Sequence, residues 1–381
     1  MDTAPYSTQE NDWVIIIFFS LITLVGLIGT PLYIYTYGVA GPEITLFIFF
    51  AVVTPLSITV GYHRLFAHAT FKTNALIRFL LLFFGSAAVQ QSALEWSSQH
   101  KDHHRYVDTD RDPYSIKKGF FYAHIGWLLF WKHATDYANV KELQQDALIR
   151  HQHRYYHLWA TVSGFVTPML LGLLTGHVLG AFLLSVCLRL IVVYHATFFI
   201  NSICHMFGRS TYDIYATAKD NCFIAFLTFG EGYHNFHHRF AGDYRNGVRW
   251  YQWDPSKWII ALLEKLGLAW DLRRVSNFRI LAAQLAGENR RITDRLALVG
   301  KNTEFLKLNE IVKSQYGNLC QNLVDWEDAA KEYKRVLQRQ VVQYSKEVRE
   351  SARRKLAEAR EQFKYTHRNW NALLKQCPVA L

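Results

Sequence analysis

Paired cysteine chemistry is missing from this sequence. The chain has five cysteines (Cys187, Cys204, Cys222, Cys320 and Cys377), and no two stand in C-x-x-C spacing. That excludes a zinc ribbon, a dithiol redox motif and a c-type haem site, and it offers no disulfide framework. A reducing, cytoplasmic side is the simplest setting for such thiols. Nucleic-acid-binding motifs are also absent. The net charge of +11, from 42 Lys and Arg against 31 Asp and Glu, therefore points to anionic lipid headgroups or an anionic substrate, and no nucleic acid is expected as a partner. Charge itself is missing over long stretches. From Val14 the chain reads VIIIFFSLITLVGLIGTPLYIY without one ionisable acid or base. Its lead is acidic, where a signal peptide would have a basic n-region and a shorter apolar core.

What is present is enough apolar sequence to cross a bilayer repeatedly. The run after a short N-terminal tail (1–13) can span the ~30 Å hydrocarbon core as a helix. Four spans are expected, at about 14–35, 42–62, 156–174 and 180–201. The stretch Ala75–Leu94 is also apolar, but Arg78, Gln90, Gln91 and Ser92 interrupt it. A crossing there would put histidine-rich segments on opposite sides, so a helix lying in the interface or partly inserted is expected instead. The links at 36–41 and 175–179 carry no Lys or Arg, whereas 61–155 and the region after 205 are rich in both. The positive-inside rule then puts both termini and the histidine-bearing regions in the cytoplasm.

The expected fold is an all-α integral membrane protein. Four transmembrane helices carry a cytoplasmic helical cap that holds a polyhistidine dimetal site. The membrane domain is expected over 14–285, with a soluble, coiled-coil-like helical tail over 286–381. In that tail Leu323, Trp326, Ala330, Tyr333, Leu337, Val341, Tyr344 and Val348 step by three or four residues, one apolar stripe on a long helix packed on its own domain or paired in a coiled coil.

The chemistry lies in the histidines. His234, His237 and His238 stand at i, i+3 and i+4, and so do His100, His103 and His104. Such residues share one helical face, and neutral imidazole is a strong ligand for zinc, copper, iron and nickel. Asn201 and His205 are four apart at the end of the fourth span. His63 and His68 are five apart, roughly 140° around a regular helix, so they suit two ions, or a helix that ends between them, better than one ion. Nine clustered histidines exceed the roughly four ligands of a zinc site and suit two metals. The more scattered His124, His133, His151, His153, His157 and His177 are read as solvated or satisfied by packing. His195, inside the fourth span, is read as hydrogen-bonding across helices.

The segments His63-Arg64-Leu65-Phe66-Ala67-His68, His100-Lys101-Asp102-His103-His104 and Glu231-Gly232-Tyr233-His234-Asn235-Phe236-His237-His238 resemble the three histidine boxes of the membrane acyl-CoA Δ9 desaturases, the stearoyl-CoA desaturase type. Asn201-Ser202-Ile203-Cys204-His205 resembles that family's NSxxH motif, and the likeness extends over roughly 14–280. The resemblance implies a non-haem di-iron centre with nine histidine ligands: His63, His68, His100, His103, His104, His205, His234, His237 and His238. Asn201 would join them through water. It implies O2-dependent removal of two hydrogens from a saturated C16–C18 acyl chain, carried as acyl-CoA, or else on an acyl-carrier protein or a lipid. The two electrons would come from a separate donor such as cytochrome b5 or ferredoxin, because the tail has no His-Pro-Gly-Gly haem motif.

Gln90, Trp96 and Thr197 match the bend of the family's acyl tunnel. Lys117 and Lys118 match residues near the anionic CoA portion, and Lys101 and Arg105 are further candidates. Asp102, Asp108, Asp110, Asp112 and Glu231 are candidates to orient ligand imidazoles. Two other readings remain open: a di-iron lipid hydroxylase or monooxygenase, and a zinc-dependent membrane hydrolase or a plain metal-binding protein.

Overall fold

The computed structural model describes residues 7–133, 135–299, 303–338 and 346–376. Contacts divide the chain into two compact units, 1–210 with 215–274, and 211–214 with 275–381.

Among its described residues the first unit contains four helices long and apolar enough to cross a membrane: α1 (Trp13–Tyr37), α2 (Gly41–Ala67), α7 (Tyr156–Leu174) and α8 (Val178–His205). Leucines and isoleucines such as Ile17, Leu21, Leu24, Leu27 and Leu32 are exposed on α1, the surface that a helix in lipid presents. Where α1 approaches α8 the contact is close. A Cβ on Gly26 would collide with the Ile191 side chain. The turn between α1 and α2 is tied by Glu43, which accepts from Ala40 N at 2.7 Å and from the Tyr33 hydroxyl.

The apolar stretch after α2 does not form one span. It breaks into α3 (Ala75–Ser86) and α4 (Ala93–Tyr106). The first has 12 residues, about 18 Å at 1.5 Å per residue, too short for the hydrocarbon core. Asn74 caps α3 by accepting from Ile77 N, and Ser92 caps α4 by accepting from Glu95 N. Between them, residues 87–92 form a turn with Val89 and Gln91 at positive φ. The cap above the spans comprises α4, α5 (residues 122–129), α6 (Ala147–Arg154), α9 (Cys222–Leu227), α10 (His234–Arg239) and α11 (Pro255–Lys265). Two small antiparallel pairs fasten it: Ser7–Gln9 with Trp131–His133, and Lys72–Thr73 with Ala269–Trp270.

The second unit is built from α12 (Asn277–Val299), α13 (Thr303–Gln338) and α14 (Lys346–Gln376). Its core joins Leu285, Ile292 and Leu296 to Val312, Leu319 and Leu323, and these to Phe363 and Trp370. Trp326 stacks on Phe363 and Tyr316 meets Trp370, so α13 and α14 run antiparallel. The expected single stripe is therefore corrected. It serves a helical hairpin, its members Leu337 and Val348 are exposed, and Val341 and Tyr344 lie outside the described residues. The unit boundary also falls earlier than 285/286, because the composition shift near Gly287 lies inside α12, which starts at Asn277.

Candidate metal centre

The histidine site is built where α2 and α8 end and where α4 and α10 lie across them. The end of α2, Ser57–Ala67, is π-helical, and His68 N donates to His63 O at 3.1 Å. An i→i+5 turn winds less per residue than an α-helix. Residues five apart then fall on one face, and the His63 and His68 rings meet at 4.9 Å. Of the two expectations for this pair, separate ions is corrected by that local winding, whereas a helix ending between them is what is found, since it ends at Ala67.

Nine imidazoles converge as two groups, His63, His68, His100, His104 and His237 in one, and His103, His205, His234 and His238 in the other. Within each group the ligand nitrogens all lie within 4.8 Å of one another. The two His-x-x-His-His segments divide in opposite senses. His100 and His104 join the five-membered group and send His103 to the other. His234 and His238 join the four-membered group and send His237 to the first. On a helix, i and i+4 are about 40° apart while i+3 turns about 60° the other way, so each short helix serves both groups.

The donor set fits metal. Nε2 atoms of His63 and His237 stand 2.9 Å apart, those of His68 and His100 2.9 Å, and those of His104 and His237 2.8 Å. In the second group the separations are 3.2 Å for His103–His238 and 3.0 Å for both His205–His234 and His234–His238. Imidazoles bound at about 2.1 Å would be about 3.0 Å apart at right angles and about 3.4 Å apart in a tetrahedron. The observed spacing is close to what imidazoles sharing one ion require. Burial first, and then the neighbouring imidazoles, hold His100, His104, His234, His237 and His238 well below the ordinary histidine range; His68 is lowered by burial, His63 and nearby cations. Neutral rings are the form that binds metal.

Behind three of the rings, those of His63, His103 and His205, an acceptor holds the Nδ1 atom, so that Nε2 faces the centre of its group. Asp112 Oδ1 lies 2.8 Å from His103 Nδ1, and Glu231 Oε2 lies 2.7 Å from His63 Nδ1. Burial would raise the Glu231 carboxyl, but His63 and Arg64 hold it below the usual range. Asp112 is likewise raised by burial and, on balance, lowered by His103. Asp108 acts at one remove. It binds the Thr217 hydroxyl at 2.6 Å, and Thr217 Oγ1 stands 2.7 Å from His205 Nδ1. Asp102 instead accepts from Asn139 Nδ2 at 2.9 Å, and Asp110 is exposed.

Several supporting residues were not foreseen. Arg64, fully buried, donates to Glu231, to Asp254 and to Tyr244 O, and Asn246 donates to the second Glu231 oxygen. Arg64 lies inside the first histidine segment, which is a signal of a kind. Thr217, Asn246 and Asp254 carry none.

A cavity of about 740 Å³ opens against the centre. His63, His100, His103, His234 and Asn201 line one part of it, and Phe18, Phe19, Phe165, Tyr194 and Phe198 line another. Gln90, Trp96 and Thr197 are brought together in its wall. Gln90 Nε2 donates to Thr197 Oγ1 at 3.1 Å, and Trp96 stacks on His100 at 4.8 Å. Lys101, Arg105, Lys117 and Lys118 do not line it. Lys101 Nζ donates to Asn139 O, Arg105 lies over the Tyr106 ring, Lys117 is exposed and Lys118 reaches Tyr122. The other histidines also stay out of both groups. His124 Nε2 and His195 Nδ1 are 3.0 Å apart, which is the interhelical pairing expected of His195.

Four apolar spans together with two adjoining polyhistidine groups able to hold metal define a membrane protein with a candidate metal centre beside a cavity. The chain belongs to the fatty acid desaturase family, whose model matches residues 13–273. It is 38% identical over 288 residues to a Saccharomyces cerevisiae protein named acyl-CoA desaturase 1, a match covering 73% of this chain and 56% of that one. It is 38% identical over 280 residues to a probable acyl-CoA desaturase of Schizosaccharomyces pombe, covering 71% and 58%. Stearoyl-CoA desaturase 4 of Mus musculus is 33% identical over 297 residues, covering 74% and 81%. The matched part thus spans little more than half the length of the two yeast relatives.

Proposed function

We propose that this protein is an O2-dependent desaturase of a saturated fatty acyl thioester, removing two hydrogens from a C16–C18 acyl-CoA at Δ9. Two iron ions would be held by the nine histidines, with Asn201 acting through water. The two electrons would come from a separate donor, cytochrome b5 or a ferredoxin. Both termini and the histidine cap would face the cytoplasm, as the basic loops suggest.

The observation that carries the reading is one cavity with imidazoles in one part of its wall and aromatic rings in another. Its size is within the range of small-molecule sites. An unactivated methylene has no acidic proton, so acid–base residues alone cannot begin the reaction; bound iron would supply O2 reduction and hydrogen abstraction. The chain's own residues would do the rest. Glu231, Asp112 and Thr217 would keep the Nδ1 side of His63, His103 and His205 engaged, leaving Nε2 as the donor. Phe18, Phe19, Phe165 and Phe198 would exclude water from the acyl chain. Trp96, Gln90 and Thr197 would set where it bends. Lys101, Arg105, Lys117 and Lys118 would offer positive charge to the anionic carrier outside the cavity.

The test is expression in cells fed a saturated C16 or C18 acid, followed by mapping of the double bond. A new Δ9 alkene in cells carrying the protein is expected. A hydroxylated product, or no new product, would contradict the proposal.

A further inference from the structure

Residues 87–92 join α3 to α4 inside the first unit, and Val89, Gln90 and Gln91 line the cavity. Val89 has φ 53° and Gln91 φ 70°. Left-handed backbone is unfavourable for residues with a Cβ, most of all for a β-branched one. It persists only where the surroundings impose it.

Helix α8 imposes it. Arg189 is fully buried and donates through Nη1 to Ala87 O at 2.7 Å. The same guanidinium donates to Gly164 O at 3.1 Å, to Ser185 O at 2.6 Å and to Thr54 Oγ1 at 3.4 Å. A cation in this position would be costly without partners. Here its partners are carbonyls and a hydroxyl, one of them just past the C-terminal end of α3, where a positive charge is favoured. Five residues on, the Tyr194 hydroxyl donates to Val89 O at 3.0 Å. Arg189 and Tyr194 therefore hold the turn at residues 87 and 89, next to the Gln90–Thr197 contact in the cavity wall.

We propose that Arg189 and Tyr194 are positioning residues that fix the cavity wall at 87–91, and through it which carbon of the bound acyl chain faces the histidine groups. Neither touches a ligand imidazole among its hydrogen-bond partners. The inference rests on the desaturase reading for its second half only, because the grip on the turn is a property of the fold.

Tyr194→Phe removes one oxygen and keeps the ring in the wall. Arg189→Lys keeps the charge and loses the planar fork. Two readouts separate the halves. Hydrogen–deuterium exchange of peptides covering 87–92 should rise at least about fivefold in Tyr194→Phe, as expected when one hydrogen bond no longer holds the turn. Double-bond mapping should turn one wild-type product isomer into a mixture, with metal content unchanged.

Unchanged exchange in Tyr194→Phe overturns the grip, whether or not Arg189→Lys folds. Raised exchange with an unchanged isomer and chain-length profile overturns the selectivity role. A wild-type protein that forms no unsaturated product overturns the desaturase reading and the selectivity role with it, while the exchange result still decides the grip.

Discussion

Glu231 Oε2 lies 2.7 Å from His63 Nδ1, and its other oxygen takes the Arg64 guanidinium at 2.9 Å. One buried carboxylate thus orients a ring of the five-histidine group and neutralises a buried cation. Glu231→Gln is expected to weaken metal retention by about 10–100-fold, the usual effect of losing an orienting partner. Metal content measured after dialysis against graded chelator checks this. Retention equal to wild type would show that His63 is oriented by other means.

His237 stands 2.9 Å from His63 and 2.8 Å from His104 through its Nε2 atom, near the middle of its group. His237→Ala, and equally His100→Ala, should abolish product and lower bound metal. Far-ultraviolet circular dichroism should stay close to wild type, because neither ring supports a membrane span. Wild-type turnover in either variant would remove that residue from the ligand set.

Asp220 gives the pH prediction. Burial raises its carboxyl to about 7, against the hydrogen bond from Phe236 N. A folded-state pKa above the unfolded one stabilises at low pH, and that contribution is lost as pH rises through the window from about 4 to about 7. Asp220→Asn keeps an acceptor and removes the ionisation. Thermal unfolding should show the variant gaining on wild type at pH 8 relative to pH 5. An equal change at both pH values would contradict the assignment.

Trp370 is fully buried among the three helices of the second unit, and its Nε1 donates to Glu288 Oε2 at 3.0 Å. Trp370→Ala should destabilise this unit by about 3–5 kcal/mol, the usual cost of deleting a large buried ring. Limited proteolysis between residues 277 and 376 should become faster. An unchanged cleavage rate would mean that the hairpin core does not depend on this ring.

Much of this architecture could be read from residue order. Apolar runs of span length announced α1, α2, α7 and α8, and two His-x-x-His-His spacings announced the centre. His63 and His68 were harder. At regular helical winding they point apart, and only the π-helical end of α2 turns them together, a local feature without a periodic signature. The tail stripe suggested one long helix, whereas its packing partner Phe363 comes from the returning helix. Thr217 reaches His205, and Asn246 reaches Glu231, by tertiary folding alone. Nothing in their neighbours' spacing marks them. The cavity is likewise a product of packing, since Phe18, Trp96 and Thr197 come from separate elements.

The metals proposed for these nine imidazoles would dehydrogenate an acyl chain. The most direct test is to incubate the purified, metal-loaded protein with a saturated acyl-CoA and a reductant, with and without O2, and to weigh the product by mass spectrometry. A product lacking two hydrogens, formed only with O2, is expected. A product that gains one oxygen, or full turnover without O2, would contradict it.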